Sequence, residues 1–211
     1  MPHLTQMLWD AKDRLIKTSL NPAQGGTADD ANTTWYRYDL SGQRVRKVCL
    51  KSNITEERIY LSGCEIYRRT NSGALQTERH TLHIDDDQKK IAFVETLTVA
   101  DSHPLMTPES LVRYQYDNHL GSACLELDAS AAIISYEEYH PFGTTSYRSG
   151  RSAAEVSLKR YKYVGKERDE ESGLYYYGAR YYAAWLCRFV SVDPLQFKYP
   201  HYTPYQYAGN K

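Results

Sequence analysis

The sequence predicts an all-β protein, and three observations carry that prediction. Runs of roughly four to seven residues alternate polar and apolar side chains along most of the chain. Turns containing glycine or aspartate separate those runs. Tyrosine, which favours strands, occurs 20 times in 211 residues, against 4 Phe and 3 Trp.

The elements follow in order. Tyr36-Arg37-Tyr38-Asp39, the turn Leu40-Ser41-Gly42 and the alternating residues 43–48 read as strand, glycine turn, strand. Ile59-Tyr60-Leu61 and residues 65–68 flank Ser62-Gly63 in the same way. A third hairpin joins residues 81–84 to residues 90–96 through Asp85-Asp86-Asp87-Gln88-Lys89. Its three aspartates lack the ligand spacing and distal glutamate of an EF-hand loop, so they read as a solvated turn. Residues 100–108 hold two of the 8 prolines and read as a linker-like loop. Strands are predicted at residues 112–117, 122–127 and 133–139, the last stopped by His140-Pro141-Phe142-Gly143. Residues 150–155 are small and polar and read as a loop, and tyrosine is densest in residues 174–182. Helix is favoured only at residues 108–111 and 183–186, both short.

Composition excludes several functions. Lys and Arg number 26, Asp and Glu 26, so the formal charge is zero, which argues against a general binder of nucleic acid or anionic membranes. A mean hydropathy of −0.66 and the absence of an apolar run near ~18 residues exclude a transmembrane helix. The opening Met1-Pro2-His3-Leu4-Thr5-Gln6-Met7 lacks the basic and apolar regions of a secretory signal. Cys49, Cys64, Cys124 and Cys187 form no C-x-x-C pair, so a zinc ribbon or redox motif is not expected. Two disulfides remain arithmetically possible, but free and mostly buried thiols are expected in a chain this long. His80 and His83 lie three apart on a predicted strand and so point to opposite faces, which favours surface histidines over a metal pair. No cofactor is expected.

An internal repeat underlies the hairpins. Trp9-Asp10-Ala11-Lys12-Asp13-Arg14-Leu15, Tyr38-Asp39-Leu40-Ser41-Gly42-Gln43-Arg44-Val45 and Tyr116-Asp117-Asn118-His119-Leu120-Gly121-Ser122 share one frame. An aromatic ends a strand, an aspartate opens the turn by accepting backbone N–H bonds, and a glycine, or Asp13, closes it. This frame resembles the tyrosine-aspartate repeat of the RHS (rearrangement hotspot) proteins. The tail from Tyr163-Val164-Gly165-Lys166-Glu167-Arg168-Asp169 through Gly173-Leu174-Tyr175-Tyr176-Tyr177-Gly178-Ala179-Arg180-Tyr181-Tyr182 to Arg188-Phe189-Val190-Ser191-Val192-Asp193-Pro194 resembles the RHS-associated core domain. Ser135-Tyr136-Glu137-Glu138-Tyr139-His140-Pro141-Phe142-Gly143 fits as well. The nearest likeness is to the C subunit of bacterial insecticidal toxin complexes, over nearly the whole chain from Leu8.

The resemblance implies a curved sheet of hairpins that is part of a hollow shell, with residues 1–110 as repeat segment and 111–211 as an incomplete end-plug core. In many members the core acts as an aspartyl autoprotease that releases an enclosed C-terminal toxin. By motif, Asp193 matches one catalytic aspartate and Arg180 the arginine that supports the site. The second aspartate belongs to a motif after Tyr207-Ala208-Gly209-Asn210, beyond Lys211, so this chain is expected to be structural and not to cleave itself. A start within a repeat suggests part of a larger shell. Implied partners are the remaining shell strands or a toxin-complex B-type subunit, and a C-terminal toxin in longer forms, within a secreted or cell-surface bacterial assembly. A carbohydrate-contacting adhesion module would show a row of exposed tyrosines. A glycosidase would need facing carboxylates among Glu126, Asp128, Glu137 and Glu138, and the last two are adjacent on one strand and point apart. Gly165-Lys166 lacks the upstream glycine of a phosphate loop, which is Arg160 here.

Overall fold

The computed structural model describes residues 4–20, 32–86 and 89–210. Met1-Pro2-His3, the head of the segment read for a leader, and Asp87-Gln88 of the acidic turn lie outside the described residues. Strands β1 (Leu4–Trp9), β2 (Leu15–Leu20), β3 (Thr33–Tyr38), β4 (Arg44–Lys51), β5 (Ile54–Leu61), β6 (Cys64–Asn71), β7 (Ala74–Asp86) and β8 (Lys89–Ala100) pair antiparallel in chain order. The short β9 (His103–Pro104) folds back on the end of β8. Beside β8 come β10 (Ser110–Asp117), β11 (Ala123–Leu127), β12 (Ile133–Tyr139) and β13 (Thr145–Gly150), completing a 13-stranded antiparallel sheet. After the single turn of α1 (Ala153–Ser157), a second sheet is built from β14 (Glu167–Arg168), β15 (Tyr175–Tyr176), β16 (Tyr181–Ala183) and β17 (Arg188–Phe189). Among the described residues no helix is long and apolar enough to cross a membrane.

The repeat is a single turn used five times. Asp10 Oδ1 accepts the backbone N–H groups of Lys12 and Arg14, both at 2.9 Å, while the Asp10 N–H donates to Arg14 O at 2.9 Å. The same frame recurs at Asp39, Asn118 and Asp128, and its backbone bonds recur at His140. The residue three positions on is left-handed each time: Asp13, Gly42, Gly121, Ala131 and Gly143. The third copy therefore opens at Asn118, not at Asp117. Asp117 instead accepts from Gln115 Nε2 at 3.0 Å, and burial pushes its carboxyl above the ordinary aspartate value. Each of the five hairpins carries a register shift at the end of its first strand. Bulges of this kind bend a strand and increase its twist, which turns a flat meander into a curved wall.

The curvature encloses the tail. Leu174 and Tyr181 pack with Leu4, Leu15 and Tyr36 of the first three strands. Their neighbours in sequence, Tyr175 and Tyr182, donate to Gly143 O at 3.0 Å and Phe142 O at 2.8 Å, in the turn between the last two strands. Adjacent residues that touch the first and last hairpins require the sheet to wrap around them. Tyrosine is the residue for this job, because its ring fills the core and its hydroxyl satisfies an inward backbone carbonyl. Tyr38, Tyr139 and Tyr163 donate likewise to Leu15 O, Ala123 O and Pro141 O. The tyrosine-dense stretch is thus mostly interior, with Tyr175, Tyr181 and Tyr182 buried, so it forms no exposed sugar-stacking row.

Other expectations need correction. Within residues 100–108, Asp101 and Ser102 form a two-residue turn with positive φ at both positions, so Ala100 pairs with His103. Residues 110 and 111 are strand, since β8 offers an edge to pair with. Gly150 ends β13, and Ser152 caps α1 by accepting the Glu155 N–H at 3.2 Å. The four cysteines are free, with Cys49 buried and the others half-buried. His80 and His83 do face apart, but His83 is interior, with Nε2 2.9 Å from Glu65 Oε1 and Nδ1 2.9 Å from Lys90 Nζ.

Candidate functional site

Arg180 and Asp193, thirteen positions apart, are brought into contact by the small tail sheet. The turn after β15, with left-handed Gly178, places Arg180 immediately before β16. β17 returns antiparallel beside β16, and the Phe189 ring lies 3.7 Å from the Arg180 guanidinium carbon. Beyond β17 the Asp193 N–H donates to Pro204 O at 2.9 Å, and Asp193 Oδ1 accepts the Leu195 N–H at 2.8 Å. That leaves Oδ2 for Arg180 Nη2, at 2.8 Å. Burial lowers the Arg180 pKa from its ordinary value, and the Asp193 carboxylate opposes that loss of charge. Asp193 borders a cleft of about 190 Å³ walled by Leu195, Tyr199, Tyr202, Pro204 and Gln206. Among the described residues Asp193 is the one carboxylate in the cleft wall. Aspartyl acid–base chemistry requires two carboxyl groups that share a proton, and the described part of the cleft presents one carboxylate.

A second constellation was not anticipated from the sequence. Arg44 of β4 reaches the tail with Nη2 2.6 Å from Glu167 Oε2 and Nη1 2.8 Å from Asp169 Oδ2. Lys47, on the same strand, stands 2.7 Å from Asp169 Oδ1 and 3.0 Å from Glu171 Oε1. Arg160 bridges Glu65 of β6 at 2.7 Å and Glu167 at 3.0 Å. The rings of Tyr176 and Tyr60 flank the Arg44 guanidinium at 4.5 and 4.9 Å. Asp169 is fully buried, which opposes ionisation, but Arg44 and Lys47 outweigh that cost and hold its carboxyl below the ordinary value. Burial likewise opposes the Glu65 charge, and Arg160 with His83 and Arg58 pulls that carboxyl well down. A sequence signal existed in the run Lys166-Glu167-Arg168-Asp169-Glu170-Glu171, which looks solvated but lies between Tyr161-Lys162-Tyr163 and Tyr175-Tyr176-Tyr177.

The four glycosidase carboxylates do not converge. Glu126 is buried against Arg113 at 2.7 Å, Glu137 lies 3.5 Å from Lys159, Glu138 is exposed, and Asp128 organises a turn.

Comparisons with known proteins give one consistent answer. No family model matches the chain. It is 39% identical over 190 residues to toxin subunit YenC1 of Yersinia entomophaga, covering 88% of this chain and 19% of that protein. Toxin subunit YenC2 of the same organism is 37% identical over 192 residues, covering 89% of this chain and 19% of its own length. The TcdB2–TccC3 crystal structure superposes over 100% of this chain and 10% of its own, with a TM-score of 0.85 and 31% identity. The chain thus spans about a fifth of the length of the curated relatives it matches. Homology to toxin-complex C subunits and the shared hairpin sheet together show that the chain belongs to the RHS-repeat toxin subunits, where it matches a section of the β-sheet shell.

Proposed function

We propose that the chain is wall and end plug of a closed shell that encloses a toxin polypeptide. Residues 1–110 would supply wall, and residues 111–211 the core that closes it. The observation that carries this reading is the tail held within the curved sheet. It touches the first and last hairpins and is fastened by charges that are buried at both ends. A plug anchored by buried salt bridges and hydrogen bonds can close a container without exposing an apolar seam. Its partners in this reading are neighbouring shell strands or a B-type subunit, and the enclosed C-terminal toxin, in a secreted or surface-associated bacterial assembly.

Within that plug Asp193 would be one member of a catalytic carboxylate pair, and Arg180 would fix its orientation by the 2.8 Å contact. Phe189 and Pro204 O fix the guanidinium in turn. The partner carboxyl would have to enter the cleft beside Tyr199 and Gln206. The test uses a polypeptide in which further toxin-bearing chain follows residue 211. Asp193→Asn should abolish its cleavage on a denaturing gel, and retained cleavage would refute the role given to Asp193.

A further inference from the structure

A cavity of about 630 Å³ lies on the other side of the tail, between the inner face of β4–β7 and the segment from β13 to α1. Six glutamates line it, and each already faces a cation. Glu56 has Lys51, Glu57 has Arg46, Glu95 has Arg113, Glu155 has Arg151, Glu170 has Lys162 and Glu171 has Lys47. The arginines are not balanced in the same way. Arg69, Arg79 and Arg148 line the cavity without a carboxylate within ion-pair distance among the described residues. Arg69 Nε is shut off from solvent and has no hydrogen-bond partner.

Strand register brings the first two together. Arg69 on β6 stands opposite Thr77, and Arg79 on β7 stands opposite Tyr67, so the two arginines are diagonal neighbours on one face. Like charges so placed repel, and Glu56, directly opposite Arg69 on β5, is already engaged by Lys51 and Tyr67. Arg79 is disfavoured as a cation chiefly by burial, which Glu95 and Tyr67 oppose and to which Arg58 and Arg160 add smaller repulsions. Tyr67, Thr77 and Thr81 line the same space. Planar guanidinium forks match carboxylate and phosphate oxygens, and the volume falls in the range of small-molecule sites.

We propose that this cavity binds a small, multiply charged oxyanion, a phosphate-bearing or polycarboxylate molecule, through Arg69 and Arg79 with Arg148 at the rim. The site does not depend on the shell reading, because every group in it belongs to the chain described. The test is titration calorimetry of the full chain with inorganic pyrophosphate and, separately, with citrate. One of them should bind with unit stoichiometry and weaken as salt rises, and the stronger of the two identifies the ligand class. Arg69→Gln with Arg79→Gln should weaken that binding by at least about tenfold, the loss expected when one charge-assisted hydrogen bond is removed. Arg37→Gln, on an exposed position of β3, should leave it unchanged. If the double variant does not fold, arginine Nε–Hε NMR signals of the unmodified chain serve instead, since those of Arg69 and Arg79 should shift on titration. Absence of heat and of those shifts with both anions overturns the proposal, as does equal binding by the folded double variant. Binding of an acidic hexapeptide where neither small anion binds overturns it in favour of a polypeptide ligand.

Discussion

Asp169 is the residue whose loss should cost the fold most. Its two oxygens pair with Arg44 and Lys47, each of which would otherwise keep a single carboxylate, Glu167 or Glu171. Replacing it with asparagine leaves two cations facing one neutral amide, and should destabilise the chain by about 3–5 kcal/mol, the cost of breaking a buried pair from one side. Urea denaturation of Asp169→Asn measures this. The same groups set a pH window. Asp169, Glu167 and Glu65 have carboxyl pKa values below their unfolded values, so their stabilisation is present above the unfolded values and is lost as pH falls through the folded ones. Tyr36, Tyr60 and Tyr181 are shifted the other way, chiefly by burial, so their contribution is present below the unfolded tyrosine value and is lost as pH rises above it. Stability measured by denaturation should therefore hold level between about pH 5 and pH 9 and fall on both sides. A profile that is flat to pH 3 would contradict the direction assigned to the carboxylates.

At the scale of elements, the five-fold turn accounts for both the meander and its bend. Gly42 and Gly143 occupy the same left-handed position in two copies, at φ +88° and +91°, but in different surroundings. A Cβ at Gly42 would meet nothing within 4 Å, whereas one at Gly143 would lie 2.5 Å from Tyr163 Cδ1. Gly42→Ala should cost about 1–2 kcal/mol, for left-handed backbone alone. Gly143→Ala adds overpacking against a buried ring and should cost about 2–5 kcal/mol. Thermal melts of the two variants compare the sites directly, and equal losses would show that the turn is not clamped by the tail. This scale also shows why the sequence was only partly legible. The copies at Asp10 and Asp39 were visible because an aspartate follows an aromatic. The copy at Asn118 was misplaced by one residue, because Asp117 mimics the motif. Those at Asp128 and His140 escaped notice, because Ala131 replaces the glycine in one and His140 the aspartate in the other.

For the whole molecule, the sheet ends at β1 on one side and β13 on the other, and every residue of β13 is exposed. Open edges present unpaired N–H and C=O groups and recruit further strands. The chain alone should therefore elute from size exclusion at sizes that grow with concentration. A monomer at all concentrations with a cooperative melt would count against its role as one section of a wall. The zero net charge does not mean an uncharged molecule. Much of its charge is consumed inside, where Arg44, Lys47, Glu65, Glu126, Glu137, Glu167 and Asp169 are all buried.

By itself the sequence determined the succession of hairpins, the all-β class and the motif positions of Arg180 and Asp193, because turn chemistry and side-chain alternation act between residues a few positions apart. It also carried the family, through a tail whose order of tyrosines, glycines and charges is distinctive. Only the tertiary structure decided which charges face inward and which tyrosines seal the core. Arg44 meets Asp169 across 125 positions, and Tyr38 meets Tyr181 across 143. A strand of alternating Arg, Val, Lys and Cys looks half-solvated when read alone. Its polar face is buried because a tail of matching charge folds back onto it, and that pairing is a property of the wrapped sheet and of no local stretch of the chain.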